Sequence, residues 1–377
     1  MTKKTLSHDG AIGIDSKQTL SIERGSQQLI GHEHSQVHLV GSVAMDSCDE
    51  VFARVAEKLG EYMCRIPDGE TGERSKWILF QRAMLRQHPA MEVDPTVPEF
   101  ELRQWDGKVM RSIPMLRIRD DADPATLEFP TGYAEAAIES YAVFRTKRDA
   151  GIVPRHARFQ VCLPTPMATG YMYVSYTDHD TFHVVYERSL LRALLEIVAH
   201  IPHEDLAIQI DVCQEVLLFE GYFEHRPDNY KSRVFAMLHR LSVFVPDDVQ
   251  FGIHLCYGSP FDAPLVRPKD MSTLVELANG IAECVDREID FMHLPVPQGR
   301  SEPAFYKPLR DLDLSPATRV YLGLILQGDP EGDQERIAVA REFLEDFGVA
   351  TECGWGRTAP ENVAGLLDSH RVAAESL

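Results

Sequence analysis

The chain has 377 residues, 44% hydrophobic and 25% charged, and a formal net charge of −20 at pH 7. It is long enough for one large core or two domains, and it has no run of eighteen apolar residues that would predict a membrane span. The acidic charge argues against nucleic acid and membrane surfaces as partners, because both require basic patches. The seven cysteines are irregularly spaced, which argues against a disulfide scaffold and favours a reducing, cytoplasmic location.

Residues 1–35 are polar and aperiodic, which predicts an irregular N-terminal tail or cap. The first six residues carry charge but no apolar stretch follows them, so we expect no secretory signal. His32, His34 and His38 could suggest a metal site, but no cysteine or carboxylate set completes it.

From residue 36 onward, short apolar runs alternate with helical patterns. Runs that are almost continuously apolar are typical of parallel strands covered on both faces. Eight strands are predicted: Val37–Gly41, Tyr62–Ile66, Phe159–Leu163, Leu206–Val212, Val249–Cys256, Ile289–Leu294, Val320–Leu326 and Val349–Cys353. Eight strands that alternate with helices predict an α/β fold, a closed (β/α)8 TIM barrel over residues 36–377.

Helical signals fall between these strands. A capping box at Ser47–Glu50 predicts a helix that ends at Gly60. Apolar stripes predict further helices over 184–200, around 274–281, and from 337 to a stop at Gly348. Residues 67–158 separate strands two and three, and we interpret them as an elaborated insertion within one domain.

Polar residues follow most of the predicted strands, where barrels of this kind place their active sites. They are Ser42, Asp68 with Glu70, Thr165, Asp211 with Glu215, His254 with Cys256, His293, Gln327 with Asp329, and Cys353. Their convergence predicts a catalytic site at this end of the barrel.

Three of these residues have the chemistry of a metal site. His254 and Cys256 are two apart in a strand and point the same way, and Cys353 has the matching place on a later strand. Zinc takes imidazole and thiolate ligands, and a catalytic zinc keeps one position open beside three protein ligands. The alternative is a buried cysteine beside a satisfied histidine. We interpret Cys48, Cys64, Cys162, Cys213 and Cys284 as packing residues.

Four further residues are candidate catalytic groups. Asp211 could orient substrate or a ligand, or could cap a helix. His293 could be a fourth ligand, a proton shuttle or a substrate contact. Asp68 and Glu70, with Glu73 in the same turn, could bind an amino group or act as general acid and base, or could form a structural turn.

Six residues are candidate substrate contacts because they follow strands or flank the ligands. They are Ser42, Glu73, Tyr257, Arg300, Gln327 and Trp355. Tyr257 and Trp355 could equally be packing aromatics, and Arg300 could bind a substrate carboxylate or lie in solvent.

Several motifs together resemble one superfamily, that of cobalamin-independent methionine synthase and uroporphyrinogen decarboxylase, closer to the synthase. They are His254-Leu255-Cys256-Tyr257, Ile208-Gln209-Ile210-Asp211, Glu352-Cys353-Gly354 with Arg357, Asp68-Gly69-Glu70 with Glu73-Arg74, and Val40-Gly41-Ser42. Their order matches the catalytic barrel of the synthase from about residue 36 to 360. The resemblance implies a zinc enzyme that transfers a methyl group to a thiol.

The chain departs from the synthase pattern in three ways. The synthase has two barrels and only one is predicted here, which argues against a polyglutamyl folate donor. A glutamate zinc ligand of the synthase is missing, and His293 is the nearest candidate, about two positions away. A strand-seven histidine that protonates the departing folate is replaced by a run that ends in Gln327.

These observations support three hypotheses. The first is zinc-dependent transfer of a methyl or other alkyl group to a metal-activated thiol, with small-molecule partners. The second is a zinc lyase or decarboxylase that acts on a small carboxylated substrate and uses the metal as a Lewis acid. The third is a barrel that binds a metal or small molecule without turnover. The sequence does not predict the oligomeric state.

Overall fold

The computed structural model describes residues 35–260 and 264–377. The predicted tail, with His32 and His34, lies almost wholly outside these residues. His38 is described and lies in the core, where its Nε2 is 2.9 Å from Oε1 of Gln209. This bond gives the buried imidazole a partner without a metal.

The core of the fold is a curled, seven-stranded parallel sheet flanked by helices. Its strands are β1 (Arg65–Pro67), β6 (Arg158–Pro164), β7 (Leu206–Val212), β8 (Gln250–Leu255), β9 (Phe291–Pro295), β10 (Arg319–Ile325) and β11 (Gly348–Thr351). They follow one another across the sheet in this order, and β2 to β5 lie outside it. Seven of the eight predicted strands therefore form. Their register sets the carboxyl ends of neighbouring strands side by side, as in the pair Asp211 and His254.

The first predicted strand, Val37–Gly41, forms no regular strand. Val37 makes an isolated parallel bridge to Val349, and His38 N donates to Val349 O at 2.9 Å. On its other side, Val37 N donates to Tyr62 O at 3.0 Å. The segment thus forms hydrogen bonds to the outer strand β11 and to Tyr62, just before the other outer strand β1. These bonds are too few to make a regular ladder.

Helices connect the strands and cover the sheet. They are α1 (Cys48–Leu59), α2 (Leu79–Gln87), α3 (Tyr133–Asp149), α4 (Pro166–Tyr173), α5 (His179–His200), α6 (Gln214–Phe219), α7 (Tyr230–Val243), α8 (Ser272–Cys284), α9 (Pro303–Tyr306), α10 (Pro330–Arg341) and α11 (Val363–Ser376). No helix in the described ranges is both long and apolar enough to cross a membrane.

The N-cap predicted at the start of α1 is confirmed. Ser47 lies at the N-cap, and its Oγ accepts from Glu50 N at 3.3 Å. The helix ends at Leu59, and the next position has room only for glycine, since an added Cβ would lie 2.5 Å from Ala56 O and 2.9 Å from Pro154 Cγ. The φ of Gly60 is −57°, so a left-handed conformation is not the reason for glycine.

The helix predicted from residue 337 to Gly348 ends earlier, because α10 stops at Arg341. Phe343 and Leu344 form a turn, and both of their backbone N–H groups donate to Ala340 O at 3.0 Å. They still pack against the core. Apolar residues that follow a helix can thus extend its stripe in the sequence without extending the helix.

Residues 67–158 hold two small antiparallel pairs as well as α2 and α3. The pairs join β2 (Met91–Val93) to β5 (Leu116–Ile118), and β3 (Phe100–Arg103) to β4 (Val109–Ile113). Helix α3 packs against α1 and β6. The β3–β4 hairpin instead reaches the cavity described below, where it contributes Leu102, Arg111 and Ile113.

Replacing Glu215 by glutamine is expected to stabilise the fold, increasingly as the pH rises. Glu215 on α6 is fully buried. Thr165 Oγ1 donates to its Oε1, while its Oε2 has no partner among the described residues. Burial raises its pKa to about 7. At a pH below the pKa of Glu215 in the unfolded chain, the carboxyl group is protonated in both states and the raised pKa costs no stability. As the pH rises from that pKa to about 7, the wild type progressively loses stability, because the folded state disfavours the carboxylate.

The glutamine variant keeps the acceptor for Thr165 but has no charge to bury. Its advantage in free energy of unfolding should grow by about 2 kcal/mol between pH 5 and pH 8. Denaturant unfolding at both pH values measures it. An equal advantage at both pH values would contradict the shift.

Candidate metal centre and cavity

A cavity of about 380 Å³ opens at the carboxyl ends of the parallel strands. Strand ends contribute Asp211, His254, Cys256 and Cys353 to its lining. Ser42, predicted as a substrate contact, also lines it, and Ser42 O accepts from Trp355 N at 2.6 Å. Gly354 crosses Ser42 so closely that an added Cβ would lie 2.4 Å from Ser42 Oγ. The glycine after Cys353 is thus required for the two segments to meet.

The predicted ligands His254, Cys256 and Cys353 form a cluster in this cavity. One ligand atom from each lies within 4.8 Å of the others. The two sulfur atoms are 3.6 Å apart. His254 and Cys256 are buried and Cys353 is partly exposed on the cavity side. One imidazole and two thiols at this spacing are a donor set that suits a borderline-soft ion.

Hydrogen bonds behind the cluster determine which nitrogen of His254 can bind a metal. His293 Nε2 lies 3.0 Å from Thr351 O, which can only accept, so this nitrogen carries the proton. Burial lowers the pKa of His293 well below its usual value, so the ring is neutral and its Nδ1 accepts from His254 Nδ1 at 2.7 Å. In the neutral form of His254 the proton therefore lies on Nδ1, and Nε2 keeps the lone pair that can bind a metal.

This chain places His293 behind His254 instead of in the cluster. His293 is fully buried and does not line the cavity. The position is that of an outer-shell partner, which orients a ligating imidazole and sets its tautomer. The fourth-ligand and substrate-contact interpretations of His293 need a side chain in the cavity, which the fold does not provide.

The His293→Leu variant should bind zinc about 10–100-fold more weakly than the wild type, because His254 loses the acceptor for its Nδ1 proton. His293→Gln should retain more of the affinity, since its amide can accept from His254 and donate to Thr351 O. Competition with a chromophoric chelator measures both affinities. Equal losses in the two variants would show that His293 acts through packing alone.

The thiol groups of Cys256 and Cys353 interact directly through a hydrogen bond. Cys256 donates to Cys353 Sγ, and this bond, aided by His254, lowers the pKa of Cys353 well below that of a free thiol. Arg357 Nη2 also donates to Cys353 Sγ, at 3.5 Å. A thiolate is the form that ligates metals, so this site favours the ligating state of Cys353.

Asp211 lies beside the cluster, held by two donors. Trp77 Nε1 donates to its Oδ2 at 3.1 Å, and Gln209 Nε2 donates to its Oδ1 at 2.8 Å. Burial raises its pKa to about 6 despite these bonds and the nearby His254. The helix-cap alternative does not apply, because α6 begins at Gln214 without a side-chain cap.

Glu70 is the second carboxyl group in the cavity. It is buried, and desolvation, followed by the charge of Asp211, raises its pKa well above the usual value. Its φ is 46°, and Trp77, which also lines the cavity, has a φ of 52°. In the described ranges these are the two non-glycine residues with left-handed backbone. Such strain concentrates at functional sites.

Two other carboxylates of the same turn lie elsewhere. Asp68 pairs with Arg74 at 2.5 Å and accepts from Glu70 N at 2.8 Å, so it shapes the turn that presents Glu70. Glu73 lies in a 3-10 turn and is exposed. Neither lines the cavity. The structural alternative therefore describes Asp68, and the turn directs only Glu70 inward.

Four predicted substrate contacts also lie outside the cavity lining. Tyr257 is fully buried, and its hydroxyl has no hydrogen-bond partner in the part of the chain that the structure describes. The Trp355 indole donates to Thr351 Oγ1 at 2.6 Å and packs on His370. Arg300 bonds to Glu302 and to Pro268 O, and Gln327 is exposed. Strand-end position alone does not determine which way these side chains point.

Sequence reasoning missed several residues of the cavity. Trp77, Arg82 and Arg111 all line it, and all come from residues 67–158. No motif or strand end marks them in the sequence. Gln209 belongs to one of the family motifs but was not predicted as a site residue. Its Nε2 donates to Asp211 and to Val40 O at 2.6 Å, and its Oε1 contacts His38. Its polarity within an apolar strand was the one available signal.

No protein-family model matches this chain, and no curated protein matches it in sequence. Solved structures do share its fold. The B12-independent methionine synthase from Shewanella sp. W3-18-1, in complex with selenomethionine, is 14% identical over 87% of this chain and 86% of that one, with a TM-score of 0.60. A protein from Listeria monocytogenes described as a vitamin-B12-independent methionine synthase is 16% identical over 90% and 97%, with a TM-score of 0.54. The resemblance to such synthases is confirmed for the fold.

Proposed function

We propose that this protein is a zinc enzyme that transfers a methyl or other alkyl group to a thiol. The observation that carries the proposal is the convergence of His254, Cys256 and Cys353 within 4.8 Å on a cavity at the strand ends. We extend the proposal to the fold, as a closed (β/α)8 barrel in which the first predicted strand, Val37–Gly41, completes the ring beside β1 and β11, and in which residues 67–158 are an insertion. The likeness to methionine synthases supports both.

The donor set fits zinc by its chemistry. His254 Nε2 is available, Cys353 is disposed to be a thiolate, and Cys256 contacts it directly. A zinc ion held by these three residues would offer an open coordination position at which a substrate thiol loses its proton at neutral pH. Three protein ligands also favour a catalytic site over a structural one, which normally has four.

The reaction then needs one bond formed and one broken. The substrate sulfur attacks the alkyl carbon, and the bond between that carbon and its leaving group breaks with the electron pair on the leaving group. Asp211, fixed by Trp77 and Gln209, orients the substrate beside His254. Apolar residues that line the cavity, among them Leu102, Ile113 and Leu265, would exclude water from the reacting atoms.

Glu70 supplies the proton for the leaving group. Burial and the charge of Asp211 raise its pKa well above the usual value, which favours the protonated form that a general acid requires. It lines the same cavity as the three ligands. Glu70 would thus replace the strand-seven histidine that this chain lacks.

The lyase or decarboxylase hypothesis remains the second candidate. The observation that favours it is the pair of cavity carboxyl groups, Glu70 and Asp211, both with raised pKa values. Such a pair could move protons on a substrate without any thiol. The two functions differ in whether a thiol enters the metal site.

Cobalt substitution tests this difference directly. Co²⁺ accepts the same ligand types as zinc and reports sulfur coordination by a charge-transfer absorption. Titration of the cobalt protein with homocysteine should add such an absorption, whereas homoserine, which has a hydroxyl in place of the thiol, should not. No response to any member of a thiol panel would refute thiol activation and favour the lyase.

A further inference from the structure

The cavity has two chemically distinct ends. The cluster of His254, Cys256 and Cys353 and the carboxyl groups of Glu70 and Asp211 form the inner end. Cations border its more exposed part, among them Lys76, Arg82 and Arg111. Between these ends the wall is apolar, and its residues include Ile78, Leu79, Leu102, Ile113, Met172 and Leu265.

The guanidinium groups of Arg82 and Arg111 have no carboxylate partner among the described residues. Arg82 lies on α2 and Arg111 on β4, and both side chains line the cavity. Other arginines do have carboxylate partners, as in the pairs of Arg74 with Asp68 and Arg336 with Asp333. The net charge of the chain is −20, yet these two guanidiniums line the cavity without such a partner in the described part of the chain.

Arg82 also carries an unsatisfied group. Its Nε is buried and has no hydrogen-bond partner among residues 35–260 and 264–377. Burial, followed by the charge of Arg86, lowers the pKa of Arg82, and Arg111 adds to this effect; Tyr173 and Glu99 oppose it. A buried charged donor without an acceptor is costly to leave unpaired. An oxyanion in the cavity would accept from this Nε and offset the repulsion between the two arginines.

We propose that Arg82 and Arg111 form an oxyanion clamp and that the thiol substrate is an ω-mercapto acid. Its acid group, a carboxylate or a phosphonate, lies between the two guanidiniums; its apolar spacer lies along the wall, and its sulfur reaches the cluster. This inference rests on the proposed function, which assigns the thiol to the inner end. The clamp comes from residues 67–158, so these residues would set substrate specificity.

Binding of matched thiols to the cobalt protein tests the clamp. The probes are ω-mercapto carboxylates, phosphonates and alcohols of equal length, in a series of increasing chain length. At the best length, the wild type should bind an acid about 10–100-fold more tightly than the alcohol. Whichever acid binds more tightly identifies the oxyanion.

Arg82→Gln and Arg111→Gln should each remove most of this preference and leave the affinity for the mercapto alcohol unchanged. Arg86→Gln is the matched control, because Arg86 is exposed on the same helix and does not line the cavity. Because Arg111 is on the surface, its variant keeps the test valid if Arg82→Gln misfolds. Equal binding of acids and alcohols by the wild type, or a preference retained in both variants, overturns the clamp.

Failure of the proposed function would look different. If no thiol changes the cobalt spectrum, thiol activation fails and the ω-mercapto acid with it. The clamp is then judged by the shift in melting temperature that alkyl carboxylates and alkanols of equal length produce. A larger shift with the carboxylate, lost in Arg111→Gln, supports the clamp, and equal shifts overturn it.

Discussion

Replacement of Cys353 by serine is expected to abolish zinc binding and, with it, alkyl transfer. A serine hydroxyl stays protonated where a thiol becomes a thiolate, so only His254 and Cys256 would remain as ligands. The loss should exceed the 10–100-fold that an outer-shell partner costs. Elemental analysis of protein purified without chelator should find about one zinc per chain in the wild type and close to none in the variant. Cys256→Ser should behave in the same way.

The matched control for this experiment is Cys284→Ser. Cys284 lies on α8, is partly buried and donates to the carbonyls of Phe235 and Ile281, so it tests loss of a thiol away from the cluster. Its zinc content should equal that of the wild type. A melting curve separates loss of a ligand from loss of the fold. Full zinc occupancy in a folded Cys353→Ser protein, or wild type without zinc, would contradict the metal centre.

The alternation of apolar runs with helical stripes was sufficient to predict most of the sheet. Leu206–Val212 was predicted with the bounds that the structure has, because a strand buried on both faces is apolar throughout. Val37–Gly41 was predicted on the same pattern but forms only an isolated bridge. Pairing depends on what the neighbouring segments offer, and the residues of a strand do not contain that information.

The site shows the same division between local and distant information. His254 and Cys256 could be predicted because strand spacing fixes their common direction. The direction of Tyr257 or Trp355 depends on how a loop turns after its strand, and the sequence carries no signal for it. Arg82 and Arg111 reach the cavity only through the tertiary placement of α2 and the β3–β4 hairpin. Long-range packing of this kind cannot be predicted from local sequence patterns.

Replacing Glu70 by glutamine should lower the turnover rate by about 10²–10⁴-fold, the usual contribution of a general acid, without loss of zinc. Glutamine has nearly the same shape and still donates a hydrogen bond, but it cannot give up a proton to the leaving group. Burial, followed by the charge of Asp211, raises the pKa of Glu70. The wild-type rate should therefore fall as the pH rises through this raised pKa, because Glu70 then loses the proton that it donates. In the variant this limb of the pH–rate profile should disappear.

Glu73→Gln is the matched control, because Glu73 lies three residues further along the same turn and is exposed. It should keep both the wild-type rate and the pH dependence. A pH profile unchanged in Glu70→Gln would mean that another group protonates the leaving group; among the described residues, Asp211 is the other carboxyl that lines the cavity. Loss of zinc in Glu70→Gln would instead mean that Glu70 supports the cluster, since removing a general acid alone leaves His254, Cys256 and Cys353 intact.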